Sequence, residues 1–179
     1  MKSLRTYYYS GDQTMSLKFG SFIALAMVSL IVNNAYAAGA KPGQRFGDWG
    51  VKCETAPDKS QICYVQQVLS EKSSKQPLMI TVLGYGKGKP FPTAIFELPK
   101  GVDMKQGVQL KVDKNQAVAF KGKCDQQGCR AGFTLDNPMM QQISKGQQAL
   151  LAYRPGPNKE PVILPISLKG LASGLKAVK

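Results

Sequence analysis

The chain has 179 residues, 24 Lys and Arg against 11 Asp and Glu, four Cys and no His, which gives a formal net charge of +13. Without histidine the chain lacks the imidazole of a Ser-His-Asp or Cys-His catalytic site and a common metal ligand. The carboxylates are scattered and lack the spacing of a calcium loop. Composition therefore argues against an enzyme and predicts no catalytic residue, metal site or cofactor.

An apolar run of 14 residues near the N-terminus follows several basic residues and precedes the triplet Ala-Tyr-Ala. This order is typical of a secretory signal peptide, with cleavage expected between Ala37 and Ala38. Fourteen residues are too few to cross about 30 Å of hydrocarbon, and no later stretch resembles a membrane span. We therefore predict a signal peptide over 1–37 and a single exported domain over 38–179.

Alternating apolar residues between turn signals predict about nine short β-strands in the exported domain. In chain order they are WGVKC, ICYVQQVL, LMITVLG, TAIFEL, VQLKV, AVAF, CRAGFTL, QALLAY and VILPIS. The clearest period of two lies in VQLKV, which places Val108, Leu110 and Val112 on the inward face.

Two short helices accompany the strands. NPMMQQISKG predicts a helix with Asn137 as N-cap, Pro138 at its first position and Gly146 just after its end. SLKGLASGLKAVK predicts a C-terminal helix capped by Ser167, although its two internal glycines weaken it. Many short strands with one or two short helices predict a mainly β fold, an immunoglobulin-like antiparallel β-sandwich.

Four cysteines, Cys53, Cys63, Cys124 and Cys129, allow three disulfide pairings. Disulfides are the default in an exported chain, and the spacings match neither paired zinc knuckles nor a thioredoxin-type C-x-x-C. Proximity favours Cys53–Cys63 and Cys124–Cys129 over the cross-pairings. The second bond would close a hairpin between the AVAF and CRAGFTL strands, with Gly128 supplying a positive φ.

The stretch GYGKGKP, residues 84–90, is the best candidate for an exposed contact loop. With the next residue it offers two aromatic and two cationic side chains: Tyr85, Lys87, Lys89 and Phe91. A phosphate-binding loop would end in GK[ST] and open a helix, whereas prolines follow here. We expect a strand connection that is available for contacts.

The segment FGDW contains three further candidates for functional residues: Phe46, Asp48 and Trp49. We interpret Asp48 as a turn or hydrogen-bonding residue rather than an acid catalyst. Trp49 and Phe46 are interpreted as core residues rather than as a platform for a ligand. This segment is therefore expected to be structural.

Residues 38–179 hold 21 Lys and Arg against 10 Asp and Glu, a net charge of +11. Both candidate start residues, Met1 and Met15, lie upstream of this range, so the choice between them leaves the charge unchanged. Such a charge favours anionic partners, including lipopolysaccharide, glycosaminoglycans and membrane surfaces, and it also keeps an exported domain soluble. Most of the cations are lysines, whereas bidentate recognition of phosphates and bases favours arginine. We expect no specific nucleic-acid binding.

Five segments are distributed over most of the exported domain, the first beginning at Phe46 and the last ending at Leu171: FGDWGVKCE, QICYVQQ, ELPKGVDMKQGVQLKVD, KCDQQGCRAGFTLD and ILPISLKGL. Together they resemble the invasion-associated locus B family of bacterial exported proteins. The resemblance implies an immunoglobulin-like sandwich, export, disulfides at the four cysteines and a role in the invasion of host cells. No catalytic residue comes with it.

These observations favour an exported, non-enzymatic protein that acts by binding. Its candidate partners are an anionic envelope or cell-surface component and a host protein, and the expected location is the periplasm, the outer membrane or the medium after Sec-type export. The alternative is a periplasmic envelope-maintenance or stress factor without a host role. An enzyme is a third hypothesis, which the poor inventory of acid-base groups disfavours.

Overall fold

The computed structural model describes the backbone of residues 7–10 and all of residues 39–179. The expected cleavage site, Ala37–Ala38, lies outside the described residues. In the described part, the buried apolar side chains of the core all lie between Trp49 and Leu175, so the expected exported domain contains its own core. No helix in this part is long and apolar enough to span a membrane.

Most strands of the described part belong to one large antiparallel sheet. Its order is β2 (Arg45–Phe46), β3 (Trp49–Thr55), β4 (Gln61–Glu71), β5 (Pro77–Gly84), β6 (Thr93–Leu98), β10 (Cys129–Thr134) and β9 (Gly122–Cys124), and β1 (Tyr7–Ser10) pairs with β4. We call it the first sheet. The turn over residues 56–60 and the connection over residues 85–92 lie at the same end of this sheet, because β4 and β5 run antiparallel.

A second antiparallel sheet has the order β12 (Val162–Ser167), β11 (Gln148–Tyr153), β7 (Val108–Val112) and β8 (Val118–Phe120). The two sheets share one hydrophobic core, in which Trp49 and Val65 of the first sheet lie in the same cluster as Leu110 and Leu151 of the second. The predicted mainly β class is confirmed. The immunoglobulin-like strand order stays a prediction, which this topology does not confirm.

Strand alternation decides which side chains enter the core. In β7, Val108, Leu110 and Val112 are buried while Gln109 and Lys111 are exposed. Successive side chains of a strand point to opposite faces, so this pattern confirms the inward face predicted from the sequence.

Helix α1 (Asn137–Lys145) begins one residue earlier than predicted. Its N-cap is Asp136, whose side chain accepts a hydrogen bond from the Met139 backbone N–H at 2.8 Å, and Gly146 follows its end. The predicted Asn137 cap is therefore wrong. An aspartate and an asparagine are about equally good caps, and here the first of the two neighbours takes the position.

Helix α2 (Leu171–Ala177) begins after Gly170 rather than after Ser167. Ser167 is the last residue of β12, so the predicted cap is wrong, because hydrogen bonds with Gln67 hold this serine in the strand. At the other end of the domain, the Ala40 N–H donates to the Ala177 carbonyl at 3.2 Å. The start of the expected exported domain therefore lies against the last helix.

The segment AVAF does not form the predicted hairpin with CRAGFTL. Its strand β8 pairs with β7 in the second sheet, and β10 pairs instead with the short strand β9. Between the two, the chain crosses from one sheet to the other. Gly122 allows β9 to pair closely with β10, because a Cβ at this position would lie 2.2 Å from the Arg130 carbonyl oxygen.

Candidate functional site

The carboxylates of the described residues mainly stabilise local structure. Within residues 39–179, no group of three or more His, Cys, Asp or Glu lies close enough to hold a metal ion. Several aspartates instead accept backbone N–H groups of nearby residues: Asp58, Asp103, Asp125 and Asp136. Side chains that satisfy backbone donors in this way fix turns and helix ends.

The candidate contact loop lies in the connection between β5 and β6, residues 85–92, beside the turn over residues 56–60. Lys87 Nζ lies 3.2 Å from Asp58 Oδ2, and both side chains are more than half exposed. The Ser60 hydroxyl and N–H, followed by the Lys87 ammonium, hold the pKa of Asp58 below its ordinary value. An exposed ion pair of this kind contributes little to stability, so Lys87 stays available to a partner.

The four predicted contact residues differ in exposure. Lys89 and Lys87 are exposed, whereas Tyr85 and Phe91 are half-buried. Burial raises the pKa of the Tyr85 hydroxyl, and the Lys179 ammonium lies 5.7 Å from the centroid of its ring. A cation over an aromatic face is attracted by the ring's quadrupole. The structure thus places all four in one loop, and the two lysines are its accessible part.

The segments FGDW and SLKG, far apart in the sequence, meet at the junction of the two sheets. Asp48 Oδ2 accepts a hydrogen bond from the Ser167 hydroxyl at 2.6 Å, and the Asp48 N–H donates to the Lys169 carbonyl at 3.2 Å. The Lys169 N–H in turn donates to the Ser167 hydroxyl oxygen at 3.3 Å. Asp48 therefore has the hydrogen-bonding role predicted for it.

Two glycines allow these segments to approach each other. Gly47 has a φ of +57°, and a Cβ there would lie 2.4 Å from the Lys169 carbonyl oxygen. Gly170 has a φ of +86°, and its Cβ would lie 2.2 Å from the Phe46 carbonyl oxygen. Both the positive φ and the close backbone contact require glycine at these positions.

Gln67 completes the junction, because its side-chain amide pairs with the backbone of Ser167 as a neighbouring strand would. Its Nε2 donates to the Ser167 carbonyl at 3.1 Å, and its Oε1 accepts from the Ser167 N–H at 3.1 Å. The Trp49 indole N–H also donates to that carbonyl, at 2.9 Å. β12 is an edge strand of the second sheet, and these bonds satisfy backbone groups of Ser167 that would otherwise lack a partner. We call Asp48, Trp49, Gln67 and Ser167 the Ser167 cluster.

Gln67 was not among the site residues predicted from the sequence. The pattern Val65-Gln67-Leu69 sets a glutamine between two buried residues of β4, and Gln67 is only 3% exposed. A polar side chain in an inward position needs a partner, and this is the signal that could have identified it. The sequence predicts its partner Ser167 as a helix cap and not as a strand residue, so the pattern does not reveal the pair.

Both disulfides join residues that lie directly opposite each other on paired strands. Cys53–Cys63 links β3 to β4, and Cys124–Cys129 links β9 to β10, each with a Cα–Cα distance of 4.0 Å. This is the pairing that proximity favoured. The bonds close local hairpins and leave no free cysteine among the described residues.

Asp125 shapes the turn inside the second disulfide. Its carboxylate accepts from the N–H groups of Gln127 at 2.8 Å and Gly128 at 3.1 Å, and these bonds hold its pKa below the ordinary value. Gly128 does not adopt the predicted positive φ. A glycine is needed there for another reason, because a Cβ would lie 2.8 Å from the Leu98 carbonyl oxygen.

Comparison with known proteins adds a family and a fold. The family model "Invasion associated locus B (IalB) protein" matches residues 49–179. Among solved structures, the chain is similar to invasion associated protein B from Bartonella henselae, with a TM-score of 0.66 and 17% identity over 75% of this chain and 94% of that chain. At this identity the likeness shows a shared fold alone. No match is found among the curated proteins.

Proposed function

The chain belongs to the invasion-associated locus B family, and from that premise we propose that it is an exported protein that acts without catalysis, by binding a partner in the envelope or on a host-cell surface. The observation that carries the exported location in this proposal is the pair of hairpin disulfides. Disulfides persist in oxidising, extracytoplasmic compartments. Together with the signal-peptide pattern, they support export of residues 38–179.

Charge supports an anionic partner. The 21 cations of residues 38–179 outnumber the 10 carboxylates, so many lysines have no carboxylate of their own. Lys87 and Lys89 project from the contact loop, where attraction to an anionic surface would act without displacing any core residue. Long-range attraction of this kind weakens with ionic strength.

Export is tested by fractionating cells into periplasm, outer membrane and medium, and by sequencing the N-terminus of the recovered protein. We expect Ala38 as the first residue. Protein recovered from the envelope with residues 1–37 still attached would contradict the proposal. Protein confined to the periplasm that binds no surface component would favour the alternative role in envelope maintenance.

Binding is tested with heparin and with lipopolysaccharide at increasing salt concentrations. We expect binding at low salt that falls steeply towards physiological ionic strength, because the Debye length shortens to about 8 Å. Replacing both Lys87 and Lys89 with Glu should weaken binding more than replacing the exposed Lys111 and Lys114 with Glu, which changes the net charge equally. Absent or salt-insensitive binding would assign the charge to solubility.

A further inference from the structure

Strand β4 is longer than its neighbour β3. The pairing between them ends at Gly50–Gln66, so Val68–Glu71 extends beyond β3 along the same edge. Strand β5 occupies the opposite edge of β4. The structure shows the extended edge accepting a strand, because β1 pairs antiparallel along it from Tyr7–Glu71 to Ser10–Val68.

The backbone of this edge is oriented for such pairing. The Glu71 N–H donates to the Gln76 carbonyl at 3.1 Å, and the Glu71 carbonyl accepts from the Lys75 N–H at 2.9 Å. Both partners lie in the turn towards β5, so Glu71 points to β5. The register shift between Leu69 and Ser70 places the additional residue, Leu78, on β5, so the alternation along β4 is not interrupted. Because successive residues of a strand point their backbone groups to opposite sides, Val68 and Ser70 present N–H and C=O groups to the outer edge.

The outermost strands of the two sheets in the described part carry features that disfavour further pairing. In β12, Pro165 lies within the strand, and Gln67 already binds the backbone of Ser167. The outermost strands β2, β8 and β9 are two or three residues long. Prolines and short strands are common protections of sheet edges, whereas the sequence Val-Leu-Ser-Glu of residues 68–71 contains no proline.

β1 lies upstream of both Met15 and the expected cleavage site after Ala37. Either an internal start or cleavage would remove it and leave the edge of β4 unpaired. We propose that in the exported protein Val68–Glu71 is a docking site for an extended segment of a partner protein, which adds as a strand antiparallel to β4 in the place of Tyr7–Ser10. This inference rests on the proposed binding function and specifies its surface.

The segment that β4 accepts indicates the chemistry of the partner. Tyr7–Ser10 has the sequence Tyr-Tyr-Tyr-Ser, which has no charged residue, no proline and three residues of high strand propensity. Recognition by added strands relies on main-chain hydrogen bonds for affinity. The expected partner segment is therefore uncharged, free of proline over four residues and rich in aromatic residues.

The test uses residues 38–179, which contain the whole described core, both disulfides and the region matched by the family model. The probe is a fluorescent synthetic peptide of residues 5–12. We expect saturable binding in fluorescence anisotropy and slower hydrogen exchange of the Val68 and Ser70 amides when the peptide is added.

Backbone methylation provides a matched pair of peptides. Tyr8 and Ser10 lie opposite Ser70 and Val68, so N-methyl groups on these two residues remove hydrogen bonds to the edge and should weaken binding about tenfold or more. N-methyl groups on Tyr7 and Tyr9, which alternate with them, should change affinity by no more than about twofold, because those N–H groups face away from β4.

The outcomes distinguish strand addition at the β4 edge from peptide binding elsewhere on the domain. No binding, or equal weakening by both methylation patterns, would contradict the proposal. A dimer of residues 38–179 that the peptide dissociates would assign the edge to a second copy of the chain and also contradict it. Heparin binding and cell fractionation are measured without the peptide, so a failure here is distinguishable from a failure of the proposed function.

Discussion

Replacing Gln67 with leucine should destabilise the domain far more than the same change at its neighbour Gln66. The Gln67 amide makes two hydrogen bonds to the backbone of Ser167, and leucine can make neither. The Ser167 carbonyl would keep the Trp49 indole as a donor, but the Ser167 N–H would lose its acceptor. The change therefore isolates the bridge between the two sheets.

The magnitude follows from the group left unpaired. A buried donor without an acceptor costs about 1–3 kcal/mol, and Ser167 is partly buried, so we expect a loss of about 2 kcal/mol. The unfolding entropy of a domain of this length converts that into a fall in melting temperature of about 6–7 °C. Gln66 has its side chain on the opposite face of β4, and we expect Gln66→Leu to change stability by less than about 0.5 kcal/mol.

The assay is urea and thermal unfolding of residues 38–179 with both disulfides intact, followed by circular dichroism. Trp49 is the single tryptophan of the chain and belongs to the Ser167 cluster, so its fluorescence gives a second, local signal. We expect Gln67→Leu to shift the Trp49 emission and Gln66→Leu to leave it unchanged. Equal stabilities of the two variants would refute the reasoning, because they would mean that the Gln67 bridge does not stabilise the junction.

Three further results are expected from the same unfolding assays. Replacing Cys124 and Cys129 with serine should cost about 2 kcal/mol of stability from loop entropy and lower the melting temperature by about 4–10 °C. Cross-paired disulfides in mass mapping would contradict this structural role, and so would reduction of insulin by the native protein. Gly170→Ala should destabilise the domain much more than Gly50→Ala. Position 170 combines a φ of +86° with a backbone oxygen 2.2 Å from the new Cβ, whereas a Cβ at position 50 would meet open space. Equal melting temperatures of the two variants would be inconsistent with the contact at position 170. Asp125→Ala should lower the melting temperature at pH 7. Because the folded-state pKa of Asp125 is depressed, the contribution of this carboxylate to stability is present above the ordinary aspartate pKa and is lost as pH falls through the lower folded value. A difference that persists unchanged to about pH 2 would argue against the carboxylate's role.

Strand positions could be predicted because alternation is a local property of the sequence. VQLKV identifies its own buried face in this way, and Trp49 was assigned to the core from its type and context. The sheet to which a strand belongs is not local. AVAF and the short strand Gly122–Cys124 lie next to each other in the chain but join different sheets, and the sequence carries no local signal for the crossing.

The site was predictable to the same extent. Loop composition indicated that Lys87 and Lys89 would be exposed, since both lie in a polar glycine-rich connection. The contact between Tyr85 and Lys179 joins residues that are far apart in the chain, so no spacing rule could reveal it. Ser167 resembled a helix cap because a serine precedes an apolar helical pattern there, whereas its hydrogen bonds with Gln67 keep it in a strand.

The contact between Ala40 and Ala177 determines how the domain would be oriented if it were tethered. Both ends of the described domain, residues 39–179, therefore lie at one end of the structure, and Lys179 lies beside Tyr85 of the contact loop. An anchor or affinity tag fused to either terminus would therefore turn the contact loop towards its support. Immobilised in this way, the domain would present the opposite end, with the turn over residues 72–76 and the nearby edge Val68–Glu71, to the solution.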